Sequence, residues 1–353
     1  MFIRESKSID NAEITGKLII IGDLHTSPKY TGTHKDYANS SIRVLDLVEE
    51  ILQSEKTGGK KVSLALLGDT FGVNERNFNN EFFLTEVGRR YGRFNDLCEG
   101  RVFSVRGNHD MGEYTTFDFA VDNRWLSNPK YVDMLNDNNE KVVRFHLVNY
   151  GREDEPLDIL ETGSNVILGH NDYSVPGITP TYGGKTSETV RGDKVLVSKH
   201  DNFLGVQQII SGHIHTPLVK QGVEAEMSDG SMIEVYYPGS PSRVAEHYDT
   251  CYRFVYETSG DAINWHITPI NLWPDDEEFI ENKTTEEVKE RVKDLDRQQA
   301  NLEEILATVT ESRLTEQFDN RAQLGIIPGF SDAARDEARK RYDKFASADR
   351  DDE

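Results

Sequence analysis

The stretch Lys17-Leu-Ile-Ile-Ile-Gly-Asp-Leu-His25 joins an apolar run to a glycine and to two side chains that commonly bind metals, Asp23 and His25. The run has the length of one buried strand. The same combination of apolar run, glycine and polar residue recurs in Ser63-Leu-Ala-Leu-Leu-Gly-Asp69, Val102-Phe-Ser-Val-Arg-Gly-Asn-His-Asp110, Asn165-Val-Ile-Leu-Gly-His170 and Gln208-Ile-Ile-Ser-Gly-His-Ile-His215. Five such strand ends in one chain indicate a shared design rather than independent turns.

The residues between the first two motifs predict a helix that connects two strands. Ile42, Leu45, Val48 and Leu52 have amphipathic spacing, and Thr57-Gly-Gly ends the pattern. An apolar strand followed by a crossover helix favours parallel strands in a sheet covered on both faces. A second helix is predicted over residues 79–98, where an apolar stripe that includes Tyr91 and Phe94 is either core packing or a dimer face.

Composition limits the class of protein. The chain has 353 residues, enough for one sizeable core and a small second unit, and its net charge is −22. Because Lys and Arg supply most non-specific affinity for nucleic acid, such a chain is expected to grip DNA weakly by itself. The sequence shows no apolar run near the ~20 residues of a membrane-spanning helix and no signal-peptide centre, so a cytoplasmic protein without a membrane segment is expected. Cys98 and Cys251 match no zinc spacing and are expected to be reduced thiols.

The chain after His215 changes character twice. Turn residues predict two β-hairpins, one pairing residues 219–227 with 231–237 and the other 251–257 with 262–269. Beyond Glu281, apolar residues recur every seven positions at Val288, Leu295, Leu302 and Val309, which predicts an amphipathic helix in need of a surface. We therefore expect a catalytic domain over residues 1–245, a β-rich capping region over 246–282 and a helical segment over 283–353.

The five motifs supply a candidate ligand set. Parallel α/β sheets gather such loops at the carboxyl ends of their strands, so the motifs can converge. The candidates are Asp23, His25, Asp69, Asn108, His170, His213 and His215. Imidazole, carboxylate and amide oxygen without thiolate suit Mn²⁺, Fe²⁺ or Zn²⁺, and seven ligands suit two ions that share a carboxylate. Leu24 and Ile214 are expected to point into the core while their neighbours face the metal.

These residues resemble the calcineurin-like metallophosphoesterase superfamily, whose signature matches Gly22-Asp-Leu-His25, Gly68-Asp69, Gly107-Asn-His-Asp110, Gly169-His170 and Gly212-His-Ile-His215. The resemblance implies a four-layer α/β/β/α sandwich with a small α+β cap and C-terminal partner-binding helices. It implies that Asp23, His25 and His215 hold the first metal, that Asn108, His170 and His213 hold the second, and that Asp69 bridges them. His109 would not be a ligand but would act with Asp69 in catalysis, facing the scissile phosphate.

Within the superfamily the chain is most similar to the SbcD-type nuclease subunit of double-strand-break repair. The likeness rests on Gly107-Asn-His-Asp110, on Tyr237-Pro-Gly-Ser-Pro-Ser-Arg243, and on the β-rich region followed by helices. It implies a DNA endo- or exonuclease in which a hydroxide shared by two Mn²⁺ ions attacks the phosphodiester, with Mg²⁺, Fe²⁺ or Zn²⁺ as alternatives. It also implies an SbcC-type coiled-coil ATPase partner and a homodimer through residues 79–98. Ser240 and Arg243 are candidate substrate contacts, although a structural Pro/Gly turn explains this stretch equally well.

One position departs from the family pattern. Relatives usually have Asp or His three residues after the bridging aspartate, where it orients the histidine of the third motif, but this chain has Gly72. His109 is therefore expected to take its orientation from another residue.

A phosphomonoesterase or small-molecule phosphodiesterase remains the alternative function, favoured by the acidic charge. A non-catalytic scaffold is less favoured because every ligand position is filled.

Overall fold

The computed structural model describes residues 11–28, 37–56, 59–72, 82–174, 181–182, 185–186, 195–242 and 250–272. Contacts divide the chain into two units, Met1–Glu281 and Asn282–Glu353, and every described residue belongs to the first. Several predictions lie outside the described residues: Arg243 as a substrate contact, the helical segment 283–353 with its ATPase partner, and the first residues of the helix predicted over 79–98.

The described residues form strands and short helices in the following order. The first half contains β1 (Asn11–Ile14), β2 (Lys17–Ile21), α1 (Tyr37–Glu55), β3 (Val62–Leu66), a π-helical turn (Phe82–Val87), α2 (Gly88–Cys98), β4 (Val102–Ser104), α3 (Thr116–Asp122), β5 (Tyr131–Leu135), β6 (Lys141–Val148) and β7 (Ser164–Gly169). The second half contains β8 (Tyr173–Ser174), β9 (Thr181–Tyr182), β10 (Lys185–Thr186), β11 (Val195–Leu196), two 3₁₀ turns (Val197–Lys199 and Asp201–Phe203), β12 (Gln208–Ser211), β13 (Leu218–Glu226), β14 (Met232–Tyr237), β15 (Thr250–Ser259) and β16 (Ala262–Asn271).

Two large sheets carry the fold. The seven-stranded sheet has the order β1-β5-β6-β7-β12-β14-β13, and the five-stranded sheet has the order β16-β15-β2-β3-β4. β2 pairs parallel with β3 and β3 with β4, so the predicted strand–helix–strand opening is confirmed. In the other sheet β6, β7 and β12 are also parallel neighbours. All five motif-bearing strands therefore have parallel neighbours within one sheet or the other.

The strands of the five-stranded sheet are buried on both faces, which explains their continuous apolar sequence. In β2, Leu18 and Ile20 belong to the core between the two sheets, whereas Ile19 and Ile21 pack with the helices. Alternate residues of a strand point to opposite faces, so a run buried on both sides has no polar positions. Burying each such side chain contributes roughly 1.5–3 kcal/mol. The expected metallophosphoesterase sandwich is confirmed as a mixed α/β fold with two facing sheets.

The outer face of the seven-stranded sheet is covered differently from the expected helical layer. Ile167 and Ile209 pack there against Val197, Phe203 and Val206. In the part of the chain that the structure describes, this cover consists of the segment 195–206 with its two 3₁₀ turns and contains no α-helix. The segment can replace a helix because its apolar side chains are buried on the sheet.

Both predicted hairpins are present, and the second is joined to the five-stranded sheet. β13 pairs antiparallel with β14, and β15 pairs antiparallel with β16. β15 also pairs with β2, placing Phe254 opposite Ile20. Phe254 and Tyr256 are buried in the core between the sheets, so residues 250–271 contribute to the sandwich. The division into a domain over 1–245 and a capping region over 246–282 stays a prediction.

The aromatic stripe predicted over residues 79–98 packs inside the molecule where it is described. Val87, Tyr91 and Phe94 are fully buried in the core that also contains residues of α1. This agrees with the core-packing interpretation for these side chains, and a homodimer through residues 79–98 stays a prediction.

No helix in the described ranges is long and apolar enough to span a membrane. Cys98 and Cys251 are free buried thiols, as expected, and burial raises the pKa of each to about 12.

Candidate metal centre

The five motifs converge between the carboxyl ends of the two sheets. The five-stranded sheet supplies Asp23 and His25 after β2, Asp69 after β3, and Asn108 and His109 after β4. The seven-stranded sheet supplies His170 after β7, and His213 and His215 after β12. The intervening Leu24 and Ile214 are buried in the cores of their own layers, as the period-two pattern predicted. The seven predicted ligands therefore lie at one place, contributed by both sheets.

Asp23, His25 and His215 form the first half of the centre. The Nε2 atoms of His25 and His215 are 3.0 Å apart, and Asp23 Oδ2 lies 3.5 Å from His215 Nε2. Asp23 Oδ2 also accepts a hydrogen bond of 2.8 Å from the backbone N–H of His213. Two imidazole nitrogens and a carboxylate oxygen thus face a common point.

Asn108, His170 and His213 form the second half. His170 Nδ1 donates to the carbonyl of Leu67 at 2.7 Å, which leaves its Nε2 2.9 Å from Asn108 Oδ1. A backbone carbonyl on one ring nitrogen is the usual way to fix the tautomer of a metal-binding histidine. The ring of His213 lies 5.2 Å from that of His170, centroid to centroid.

Asp69 lies between the two halves. Its Oδ2 is 3.2 Å from His170 Nε2 and 3.8 Å from His25 Nε2, and its Oδ1 accepts the backbone N–H of His109 at 2.9 Å. Asp69 and His25 have φ angles of 41° and 45°, in the left-handed region that few non-glycine residues adopt. Such backbone conformations persist only where the surroundings impose them, and they are concentrated at functional sites.

Burial and mutual attraction favour ionised carboxylates and neutral imidazoles at His25 and His213, whereas His170 favours its protonated form and would release a proton when a metal binds. Burial lowers the pKa of His25 to about 3 and that of His213 to about 4, so both imidazoles are neutral near pH 7. Burial alone would raise the pKa of Asp69, but attraction to His170 holds it well below its usual range. His170 has a raised pKa because Asp69 and Asp23 attract its charge more strongly than burial opposes it. Ionised carboxylates beside neutral imidazoles are the ligand forms that bind metals.

The residues fit divalent cations. Asp23 Oδ1 and His25 Nδ1 are buried and have no hydrogen-bond partner among the described residues. Three overlapping sets of ligand atoms each lie within 4.8 Å of one another: Asp23, His25 and His215; His25, Asp69 and His109; and Asp23, Asp69 and His170. Two acceptor oxygens, Asn108 Oδ1 and Asp69 Oδ2, converge on His170 Nε2, and among the described contacts only a proton on that nitrogen can be shared with them. A cation would satisfy these lone pairs directly.

His109 differs from the ligand residues in exposure. Its side chain is 27% exposed and its Nε2 lies 3.9 Å from Asp69 Oδ2, whereas the Asp69 side chain is 2% exposed. Its buried Nδ1 has no hydrogen-bond partner within the described ranges. At the position expected to orient it, Gly72 only donates its backbone N–H to the carbonyl of Thr26 at 3.0 Å. The ring of His109 lies 5.2 Å from that of His25, edge to face, and the expectation that another residue orients His109 stays a prediction.

Ser240 has structural contacts in the predicted Pro/Gly turn. It is fully buried, and its hydroxyl donates to the carbonyl of Asp23 at 2.8 Å and lies 2.7 Å from Ser242 Oγ. The preceding Gly239 lies so close to Gly22 that a Cβ on Gly22 would be 2.1 Å from its carbonyl oxygen. These contacts support the loop that carries Asp23 and favour the structural interpretation of the turn, and a substrate contact by Ser240 stays a prediction.

Asp110 is a functional residue to which no role was assigned from sequence. Its buried carboxylate accepts the backbone N–H groups of Gly107 at 3.0 Å, Thr70 at 3.3 Å and Phe71 at 3.4 Å. Burial, and then repulsion by Asp69, raise its pKa to about 7. Asp110 thus ties the loop of Asp69 to the loop of Asn108. Its place as the fourth residue of Gly107-Asn-His-Asp110 was the available signal.

The glycine before His213 is required by the close approach of the two sheets. A Cβ on Gly212 would lie 2.1 Å from Asp23 Oδ1 and 2.3 Å from the carbonyl oxygen of Leu67. Both neighbours belong to the loops of the five-stranded sheet. The recurring glycine of the sequence motifs therefore has, at this position, a steric cause.

Similarity to known proteins was found with one family model and with several solved structures. A family model described as calcineurin-like phosphoesterase matches residues 16–217. No curated protein matches the chain in sequence. Among solved structures, a 5′-nucleotidase precursor from Thermus thermophilus is 16% identical with a TM-score of 0.40, over 74% of this chain and 55% of that one. A cold-active protein-tyrosine phosphatase of a Shewanella species is 13% identical with a TM-score of 0.34, over 75% of this chain and 82% of that one. Vps29 from Chaetomium thermophilum is 12% identical with a TM-score of 0.29, over 73% and 96% of the two chains.

Proposed function

This chain belongs to the calcineurin-like phosphoesterase family, and we propose from that premise that it is a two-metal phosphodiesterase that cleaves DNA. The observation that carries the proposal is the position of Asp69, whose Oδ2 lies 3.2 Å from His170 and 3.8 Å from His25. A carboxylate so placed is suited to bridge two cations. In this proposal one ion is held by Asp23, His25 and His215, the other by Asn108, His170 and His213, and both by Asp69.

Two divalent cations, when bound, lower the pKa of a water and stabilise the attacking and leaving oxygens of a phosphoryl displacement. The protein's own residues complete the reaction. Three of these side chains are nearly fully buried and are therefore held in place by protein contacts and not by water: Asp23, Asp69 and His170. His109 is the exposed imidazole beside Asp69, and its Nε2 would hold the proton that the leaving oxygen takes as the ester bond breaks.

The proposal of DNA as substrate rests on the likeness of Gly107-Asn-His-Asp110 to the SbcD-type nuclease subunit. The role of Ser240 in supporting the Asp23 loop weakens one argument for it, because that hydroxyl already donates to the carbonyl of Asp23. The net charge of −22 opposes strong binding of a polyanion by this chain alone. We therefore propose that a coiled-coil ATPase of the SbcC type holds the DNA, and that Mn²⁺ is the metal.

The same acidic charge favours a second candidate, hydrolysis of a small phosphate ester. A small substrate needs no extended basic surface, since the two cations alone can neutralise one phosphate. Monoesters and diesters would both fit this candidate. The active residues would be the same.

The deciding experiment measures Mn²⁺-dependent cleavage of linear, hairpin and single-stranded DNA and of small phosphate mono- and diesters, each with and without the coiled-coil ATPase. Cleavage of DNA that increases with the ATPase is expected. Hydrolysis of small esters with no DNA cleavage under any partner condition would establish the second candidate. Metal binding with no turnover of any substrate would contradict both.

A further inference from the structure

We propose that residues 149–153, here called the brace segment, position the second half of the metal centre and not the first. The inference rests on the proposed two-metal function, because it assigns the brace segment to one of the two ions. The segment lies just after β6 and outside all five sequence motifs. Its contacts reach the chain next to Asn108, next to His170 and at His213.

The contact toward Asn108 runs through Arg106, two residues earlier. Asn149 Oδ1 accepts the backbone N–H of Arg106 at 2.7 Å, and the N–H of Tyr150 donates to the carbonyl of Arg106 at 2.9 Å. Asn149 also exchanges side-chain hydrogen bonds of 2.9 and 3.1 Å with Asn128, which fix its amide. Both the backbone N–H and the carbonyl of Arg106, in the segment that leads to Asn108, are therefore hydrogen-bonded to the brace segment.

The contact toward His213 is made by Tyr150. The ring centroids of Tyr150 and His213 are 6.3 Å apart, and the planes are inclined by 42°. The ring of His213 also lies 5.2 Å from that of His170. Tyr150 is therefore the residue of the brace segment that lies beside a predicted ligand of the second metal.

The contact toward His170 is made by Glu153. This carboxylate is 8% exposed, and its Oε1 accepts the side-chain N–H of Asn171 at 2.7 Å and the backbone N–H of Gly151 at 3.1 Å. Asn171 directly follows His170, and its backbone N–H and carbonyl are both bonded to Ser211 Oγ, at 3.0 and 2.9 Å. Glu153 therefore fastens the brace segment to the loop after β7, and Ser211 at the end of β12 in turn holds Asn171. Within the described ranges no cation pairs with Glu153, so the hydrogen bond to Asn171 is its principal tie.

The cavity side of this loop gives its side chains little support. Arg152 and residues 155–158 border a cavity of about 390 Å³ that His146 and Val148 also line. Arg152 and Glu155 pair there at 2.8 Å with side chains 64% and 60% exposed. Because solvent-exposed pairs of this kind contribute little, the position of the segment depends on its inward contacts and on Asn202, whose side chain donates to the carbonyls of Glu153 and Glu155.

The first half of the centre is supported from elsewhere. Asp23 is held through its carbonyl by Ser240 Oγ at 2.8 Å. None of the described contacts of the brace segment involves Asp23, His25 or His215. Ser240 and the brace segment are therefore separate supports, although the two halves also meet directly where the N–H of His213 donates to Asp23 Oδ2 at 2.8 Å. A change in the brace segment should be felt mainly at the second ion.

The test is a Mn²⁺ titration of metal-free protein by calorimetry, with Glu153→Ala, Glu153→Gln and the matched control Glu155→Ala. Glu153→Ala is expected to weaken one of two Mn²⁺ sites by about 10- to 100-fold and to leave the other unchanged. Glu153→Gln retains an acceptor oxygen for Asn171 and should recover much of that loss. Glu155→Ala, in the same loop but facing the cavity, should bind both ions as the natural protein does. Ser240→Ala should weaken the other site instead.

Amide hydrogen exchange of the metal-free protein provides a second readout. Glu153→Ala should speed exchange at residues 169–172 and 211–213 but not at 21–26. If that variant does not fold, Glu153→Asp, whose shorter side chain withdraws from Asn171, should show the same selectivity. Equal weakening of both ions, or no weakening, with local exchange unchanged would overturn the brace assignment. Failure of the natural protein to bind two ions would instead overturn the proposed function on which it rests.

Discussion

The two sheets supply chemically different halves of the candidate metal centre. The five-stranded sheet supplies both carboxylates, Asp23 and Asp69, whereas the seven-stranded sheet supplies only imidazoles, His170, His213 and His215. Each proposed ion nevertheless takes ligands from both sheets. Asp23 and Asp69 repel each other. Positive charge on the histidines of the facing sheet, or on bound cations, offsets this repulsion. The centre is therefore a contact between layers, and its assembly requires the sheets to be in register.

The largest effect is expected from a change at Asp69, which lies between His25 of the five-stranded sheet and His170 of the seven-stranded sheet. Asp69→Asn should lower kcat/KM for the natural substrate by at least about 1000-fold, equivalent to roughly 4 kcal/mol, because both ions lose a shared ligand. Steady-state kinetics with metal analysis checks this. Asp96→Asn, at an exposed position of α2, is the matched control. Full activity of Asp69→Asn would show that the two halves work independently.

The seven-stranded sheet also contains a buried carboxylate outside the metal centre, and this one is paired with a cation on the same sheet. Asp133 on β5 is bonded through both oxygens to Arg144 on β6, at 2.7 and 3.0 Å. Although burial opposes it, this pairing lowers the pKa of Asp133. Asp133→Asn should lower the free energy of unfolding by about 3 kcal/mol at pH 7, with little change in metal affinity.

The pH dependence of that effect follows from the sign of the shift. A carboxyl with a depressed native pKa stabilises the fold above its unfolded pKa of about 3.9 and loses this contribution as pH falls through its native pKa. The difference between the natural protein and Asp133→Asn should therefore be full at pH 7 and shrink below about pH 4. Denaturant unfolding across pH 3–7 measures it. A difference that grew on acidification would contradict the assigned pairing.

Removing the metal tests whether cations join the layers. At 100 times its dissociation constant a ligand of the native state stabilises by about 2.7 kcal/mol, which for a protein of this size predicts a rise in Tm of about 4 °C with Mn²⁺ that a chelator reverses. Differential scanning calorimetry measures the shift. The shift should be lost in Asp69→Asn and kept in Asp133→Asn. An equal shift in all three proteins would place the stabilising ion elsewhere.

The smallest expected change tests the steric contact between the layers. Gly212→Ala should cost about 1–3 kcal/mol of stability and lower metal affinity, because its Cβ would collide with Asp23 Oδ1 and with the backbone of Leu67. Gly92→Ala on α2 is the control, since nothing lies within 4 Å of its Cβ. That helix substitution should be neutral or stabilising by up to about 1 kcal/mol. Similar losses in both variants would refute the steric explanation of Gly212.

The features predictable from sequence were those written in local patterns. The run ending at His25 showed a strand buried on both faces, and the alternation around Leu24 and Ile214 gave the direction of their neighbours. Local turn residues likewise predicted both hairpins. In each case the period of the backbone alone decides which side chains share a face.

The features that escaped prediction depend on contacts between distant residues. A hydroxyl in a Pro/Gly turn can face a substrate or a carbonyl, and only the approach of Ser240 to Asp23 favours the carbonyl. Nothing near Glu153 in sequence indicates its bond to Asn171, because the two are brought together by the sheet. Gly72 showed from sequence that His109 lacks the usual orienting side chain. The absence of that side chain does not indicate which residue takes its place.

The pairing of β15 with β2 has a consequence for how the chain reaches its fold. β2 emerges early from the ribosome, yet its antiparallel neighbour lies after residue 249, with Phe254 opposite Ile20. Until then the strand that leads to Asp23 has an open edge, which can pair with other chains. Contacts of such long sequence separation slow folding. A fragment ending at residue 245 would keep all seven ligands and still be expected to aggregate.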